Sequence, residues 1–337
     1  MQPLPRFAIV IAAVALFAGL AGNASAATIY HVLVNDSGND RVLEFDTDGN
    51  FIGVFASGFS PGGVKQGPDG NVYISNFDQI ATIGGGPIFR YSVNGTPLAN
   101  AFNGQADIRP DDLAFDGNGD LFFGNPFGGG TEDDQVYRVD GPSSVTAVVP
   151  TSFNDPSNLT GTDTLNTPRG LTFDGDGDLI VADRNNGRLL EFDPATGNLK
   201  SVIVTGLNDI QTPHYDDGSI FFTFGNQGDV RKLREIDGSG NTVNNFDFGE
   251  LELRFDPFVL PDGDVLISHF QGNQILRFES DLSSFTVFAD STTLFAGQTL
   301  SSPTFGAVIA IPEPASVALV GLGSIMLLSR RRGYSPV

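Results

Sequence analysis

The amino-acid sequence predicts an all-β fold: a six-bladed β-propeller closed by a C-terminal strand, flanked by an N-terminal signal peptide and a short C-terminal transmembrane helix. Three observations predict it. The chain has 337 residues with 42 Gly, 29 Phe and only 17% charged residues, and it lacks the Ala/Leu/Lys runs of helices. A repeat with a period in the forties runs through its middle. The first copy lacks its first strand, and that strand stands at the far end. The boundaries read as 1–26 for the signal, 27–311 for the propeller and 312–337 for a C-terminal segment.

The N-terminus has Arg6, then the apolar stretch Phe7 to Gly22, then Ala24-Ser25-Ala26. A basic residue, an apolar stretch and small residues at the end make a secretory signal cut after Ala26. An uncleaved anchor is the competing reading, and the small residues favour cleavage. The chain has no Cys. Disulfides are permitted in an exported protein but are not compulsory, and a body of this length buries enough core without them.

The body opens with IYHVLVND (29–36), DRVLEFD (40–46) and NFIGVF (50–55), alternating apolar runs between Asp/Gly/Asn turns. These supply strands two, three and four of a blade. Full copies follow: SPGGVKQGPDGNVYISN (60–76), RPDDLAFDGNGDLFFGN (109–125), TPRGLTFDGDGDLIVAD (167–183), the looser TPHYDDGSIFFTF (212–224) and FDPFVLPDGDVLISH (255–269). Each is Pro, an apolar strand, an Asp/Gly turn and a second apolar strand. Pro61, Pro110, Pro168, Pro213, Pro257 and Pro303 hold the register, at separations of 49, 58, 45, 44 and 46. Proline suits a strand's first residue, where its missing N–H does little harm. Third and fourth strands are visible in GRLLEFD (187–193) with NLKSVIV (198–204), and in NQILRFE (273–279) with SFTVFA (284–289). SSPTFGAVIAIP (301–312) is the missing first strand, so the last repeat completes the first and leaves no free sheet edge between the ends.

After the closing strand come Pro312, Glu313 and Pro314, then fifteen residues without charge from Ala315 to Ser329, then Arg330, Arg331 and Arg332. As a helix those fifteen residues reach ~22 Å, short of a hydrocarbon core of ~30 Å. The arginines can snorkel to the interface and hold the cytoplasmic side. This three-part order resembles the PEP-CTERM sorting signal of Gram-negative bacteria. The resemblance implies export, transient inner-membrane anchoring, recognition by an exosortase-type enzyme, and delivery to the cell surface or the extracellular matrix. An exopolysaccharide or a surface protein is then the expected partner. The body resembles NHL-type six-bladed propellers in its P-x-G, strand, D-G-[ND], strand, [ND] pattern. That fold hosts binding modules, lyases and lactonases alike.

Two groups of residues carry candidate chemistry. Asp174, Asp176 and Asp178 alternate in one strand-one to strand-two turn, an oxygen set that a hard cation such as Ca²⁺ or Mg²⁺ would take. A twelfth-position Glu is missing, since Asn185 stands there, and Asp/Gly turns favour these residues for backbone reasons alone. No cofactor is therefore expected. On the opposite face, strand-one starts and strand-two ends gather Asp111, Arg169, His214 and His269, with Asp112 and Asp183 beside them. A carboxylate, imidazole and guanidinium together could do acid–base work or hold a metal. The resemblance to gluconolactonase-like propellers is poor here, because Arg169 and Phe258 stand where oxygen ligands would. Structural roles compete at each position: Asp183 bonding backbone N–H groups, Arg169 pairing with a nearby Asp.

The chain carries a formal charge of −22. Without Arg6, Glu313 and the three tail arginines the body is at about −25, which excludes nucleic acid and anionic lipid as partners. The expectation is an exported, non-enzymatic binding or scaffold propeller. The alternative is a metal-assisted lyase or lactonase that uses the channel-mouth face through Asp111, Arg169, His214 and His269.

Overall fold

The computed structural model describes residues 28–77, 86–105, 108–126, 134–141, 151–152, 165–226, 229–249, 256–295 and 297–312. The expected signal peptide, Glu313, Pro314, the apolar stretch and the three tail arginines lie outside them. Among the described residues no helix is long and apolar enough to cross a membrane. The chain divides into two compact units, Tyr30–Ala310 and a unit made of Met1–Ile29 with Ile311–Val337. Of the second, only residues 28, 29, 311 and 312 are described.

The first unit is a six-bladed propeller. Blade one joins β1 (Ile29–Asp36), β2 (Arg41–Asp46) and β3 (Phe51–Ser57) to the last strand of the chain in the order β23-β1-β2-β3. Blade two holds β4 (Pro61–Gln66), β5 (Val72–Asn76) and β6 (Ile88–Tyr91). Blade three holds β7 (Leu113–Phe115), β8 (Leu121–Asn125), β9 (Gln135–Val139) and β10 (Thr151–Ser152). Blade four holds β11 (Pro168–Phe173), β12 (Leu179–Asp183), β13 (Arg188–Phe192) and β14 (Leu199–Val204). Blade five holds β15 (Pro213–Asp216), β16 (Ser219–Asn226), β17 (Asp229–Asp237) and β18 (Thr242–Asp247). Blade six holds β19 (Phe258–Val259), β20 (Val265–His269), β21 (Gln274–Phe278) and β22 (Phe285–Ala289), and β23 (Pro303–Ile311) returns to blade one.

Two strands depart from the repeat. In blade two the fourth strand is reduced to isolated bridges, Ile88 with Phe102 and Tyr91 with Pro97. Pro97 has no N–H for a ladder there. In blade three β7 begins at Leu113, not at Pro110. The carbonyl of Asp111 is turned instead to blade two, where it accepts from Gly63 N at 2.7 Å and Ser75 Oγ at 2.6 Å.

The core lies between blades. Ala114, Phe122 and Val136 of blade three pack with Leu171, Leu179, Val181, Leu190 and Phe192 of blade four. Val32, Val34, Leu43 and Phe45 of blade one pack with Phe258, Leu266, Ile275 and Phe288 of blade six. Each fully buried Val, Leu, Ile or Phe among them contributes ~1.5–3 kcal/mol, so apolar packing holds both of these interfaces. Polar contacts fasten the closure. Asp36 Oδ1 accepts from Ser301 N at 2.7 Å, and Ser301 O accepts from Gly38 N at 2.9 Å. At the other end of β23, Gln66 of blade two takes both backbone groups of Ala310, donating to its carbonyl at 3.0 Å and accepting from its N–H at 2.7 Å.

Candidate functional site in the central channel

The first strands stand next to one another around the ring: β4 touches β7, β7 touches β11, β11 touches β15 and β15 touches β19, while β23 meets β19 at Gly306 and Phe258 and β4 through Gln66 and Ala310. Charges on and just before these strands meet across blades. Lys65, near the end of β4, directs its ammonium to Asp256 Oδ2 at 3.1 Å and Asp112 Oδ1 at 3.9 Å. Asp256 leads into β19 and Asp112 into β7, so one lysine links blades two, three and six. Both carboxylates are fully buried, at 0% exposure. Asp112 Oδ2 also accepts from Leu171 N of blade four at 3.1 Å. Beside them Arg169 Nε lies 3.0 Å from Asp111 Oδ2, and Arg184 pairs with Asp209 one step outward.

Local sequence explains these placements. Lys65 occupies the register position filled by Ala114 and Thr172 in the next two copies. Asp256 sits where the other copies carry Ser60, Arg109, Thr167, Thr212 and Ser302, one residue before the marker proline.

Three carboxylates face two cations in this cluster, so one negative charge is in surplus. Burial pushes Asp256 up to about 8, with Asp112 adding to the effect and Lys65 opposing it. Burial likewise lifts Asp111 to about 6 against the pull of Arg169. Burial works against the Lys65 ammonium, but Asp256 and Asp112 outweigh it and hold its pKa above the ordinary value. Lys65 moves as a well-paired cation should, whereas Asp256 moves as a poorly paired anion. The charge count reconciles them: two carboxylates share one ammonium, and one of them retains a proton near neutrality. Asp112 Oδ1, Asp256 Oδ1 and Thr212 Oγ1 are buried without a hydrogen-bond partner.

Of the residues singled out in the sequence, the fold brings Asp111 and Arg169 together. His214, on β15, stands close enough to feel the Lys65 ammonium. Burial drives its pKa down to about 3, and the Lys65 ammonium adds to that. No carboxylate is hydrogen-bonded to it among the described residues. His269 ends β20, one strand further out, with its ring so close to Gly272 that a Cβ there would collide with it. Lys65 and Asp256 were not anticipated. The signal that could have found them is a charge at a repeat position that is small or neutral in most other copies.

The strand-two ends have a different part. Asp183 Oδ1 accepts from Asn166 N at 2.7 Å, and its Oδ2 from Asn186 Nδ2 at 2.9 Å and Arg188 Nε at 2.5 Å. Asp36 repeats the pattern with Ser301, Asn39 and Arg41. Asn125 accepts from Arg109 N at 2.8 Å. These side chains tie each blade to its incoming connection.

The acidic turn of blade four is also accounted for by its own contacts. Asp174 Oδ1 accepts from Asp176 N at 3.0 Å and Asp178 N at 2.8 Å. Asp174, Asp178 and Glu191 do approach one another closely enough to share an ion. The ammonium of Lys200, however, is bonded to Asp178 and stands 3.5 Å from Glu191 Oε1.

Comparison with known proteins agrees with this architecture. Residues 165–192 match the NHL repeat, which here spans β11, β12 and β13. No curated protein matches the chain. The fold is similar to that of a chain in a nidogen/laminin complex, with a TM-score of 0.62 at 14% identity over 83% of this chain and 98% of that one. A protein of unknown function from Bacteroides caccae gives a TM-score of 0.57 at 14% identity, covering 83% and 99%. Virginiamycin B lyase from Staphylococcus aureus gives 0.51 at 13% identity, covering 83% and 78%. At these identities the likeness is one of fold. The chain is a β-propeller that carries an NHL repeat.

Proposed function

We propose that this chain is an exported propeller that acts as a binding or scaffold module at the cell surface or in the extracellular matrix. The observation that carries the reading is the state of the channel. Its cations already rest on carboxylates: Lys65 on Asp256 and Asp112, and Arg169 on Asp111. His214 has Lys65, not an acid, as its electrostatic neighbour. General acid–base work needs an imidazole oriented and tuned by a partner, within reach of a proton to move. This arrangement spends its charges on holding blades together and leaves a rigid ring whose outward surfaces are free to bind.

The ends of the chain supply the address. Cleavage after Ala26 would release the body across the inner membrane of a Gram-negative bacterium. The segment from Pro312 would then halt in that membrane until an exosortase-type enzyme acts at the Pro-Glu-Pro. The strand β23 ends at Ile311, so removal of the tail leaves all six blades complete. The test is the intact mass of the protein recovered from its native host, with cells and medium measured separately. The expected species lacks the first 26 residues and everything beyond the Pro-Glu-Pro. A species that retains Arg330, Arg331 and Arg332 and occurs only in membranes would overturn the sorting reading.

A further inference from the structure

A cavity of ≈ 180 Å³ opens between blades four and five, on the face that carries the strand-one to strand-two turns. It lies away from the channel charges and takes no part in the reading above. Its walls are Ile180 and Ile220, both buried, and Ile203 of the outer strand β14. Asp174, Asp176 and Glu191 also line it. Tyr215 reaches the same space, with its hydroxyl packed against Gly175. Gly238, in the β17–β18 turn, borders the cavity, and a Cβ built there meets nothing within 4 Å.

We propose that this cavity receives a lysine side chain of a basic polypeptide partner. Lysine combines an aliphatic stem, which three isoleucines suit, with a compact ammonium, which carboxylates at the rim suit. The chain displays the same pairing internally. The ammonium of Lys200 lies on Asp178 and Glu191, while the side chain of Asp176 stays exposed at the turn. An incoming lysine head finds Asp176 and the outer oxygen of Asp174. The whole body, at about −25, draws a basic partner toward it and speeds encounter. The cavity then adds what long-range charge lacks, a fit for one stem.

Net charge alone would also attract a basic peptide, so the decisive variant leaves charge unchanged. Gly238→Phe places a ring in open space inside the cavity. The turn itself is held by Asp237 Oδ1 on Ser239 N and Asn241 N, each at 2.9 Å, and does not need Gly238. The probes are a short glycine-flanked lysine peptide, the same peptide acetylated at Nζ, and 1,5-diaminopentane, titrated calorimetrically into the full-length protein. Binding of the lysine peptide is expected to weaken about tenfold on acetylation and about tenfold in Gly238→Phe, at an unchanged melting temperature. Asp176→Asn, which keeps the turn hydrogen bonds, is expected to weaken it as well. Equal binding to wild type and Gly238→Phe would assign the attraction to net charge and overturn the proposal. So would the absence of peptide binding, or binding of the free diamine alone. If Gly238→Phe lowers the melting temperature, Asp176→Asn is compared with Asp48→Asn, the same charge change at an exposed turn of blade one: a larger loss with Asp176→Asn supports the cavity, and equal losses assign the attraction to net charge and overturn the proposal.

Discussion

Replacing Lys65 by Met removes the one cation that Asp112 and Asp256 share and leaves a side chain of similar length. The two carboxylates stay at 0% exposure in a channel where Asp256 already stands at about 8. Breaking a buried ion pair by deleting one partner costs ~3–5 kcal/mol, because the remaining charge must be neutralised or left unpaired. For a domain of this size that is a drop in melting temperature of roughly 6–20 °C. The loss must also depend on pH in a set direction. Without the ammonium both carboxyls have folded pKa values further above their unfolded ones. Their protonated forms are then tolerated in acid, and stability falls as pH rises through the folded values. Lys65→Met is therefore expected to lie close to wild type at pH 5 and far below it at pH 8. Circular dichroism melts at several pH values measure this. A melting temperature within about 2 °C of wild type at pH 8 would refute the claim that the channel charges hold the blades together.

Four further outcomes follow from particular groups and contacts. Asp256→Asn removes the surplus carboxylate while keeping an acceptor for Lys65. Wild type should lose up to about 1.4 kcal/mol per pH unit as the pH rises toward 8, because folded Asp256 holds a proton that the unfolded chain releases, and the variant should flatten that slope in chemical denaturation. His214 acts in the opposite sense: its folded value of about 3 lies below the unfolded one of ~6.5, so its share of stability is lost as pH falls between them. Asp183→Ala leaves Asn166 N and Arg188 without their buried acceptor, and should cost about 3 kcal/mol in urea unfolding. Gln66→Ala frees both backbone groups of Ala310. Hydrogen exchange of the Ala310 amide should then quicken by about tenfold, equivalent to ~1.4 kcal/mol of local opening.

The architecture was legible because it is periodic. Six marker prolines, paired Asp/Gly turns and alternating apolar runs repeat often enough that one irregular copy does not hide the pattern. The strand expected at 301–312 appears as β23 at 303–311, beside β1. What the period did not show was where it weakens. Pro97 removes a ladder donor from blade two, and the Asp111 carbonyl leaves blade three to bond Gly63 and Ser75. Both are single-residue events inside otherwise regular copies, and only the contact made across to the neighbour reveals them.

The channel was less legible for the converse reason: its charges break the repeat instead of following it. Aligning the copies draws attention to positions that recur, such as Asp36 and Asp183, and these fasten blade to connection. Lys65 and Asp256 recur nowhere, and their meaning depends on a ring closing so that blades two, three and six converge on one point. A lysine on an inner strand is costly to bury alone. Its presence at a place where the next two copies keep Ala114 and Thr172 requires carboxylates from elsewhere, and the ring supplies Asp112 and Asp256. The same convergence brings one carboxylate too many, and burial beside Asp112 raises Asp256 to about 8. Residues that repeat therefore build the ring, while residues that do not repeat set its charge and its response to pH.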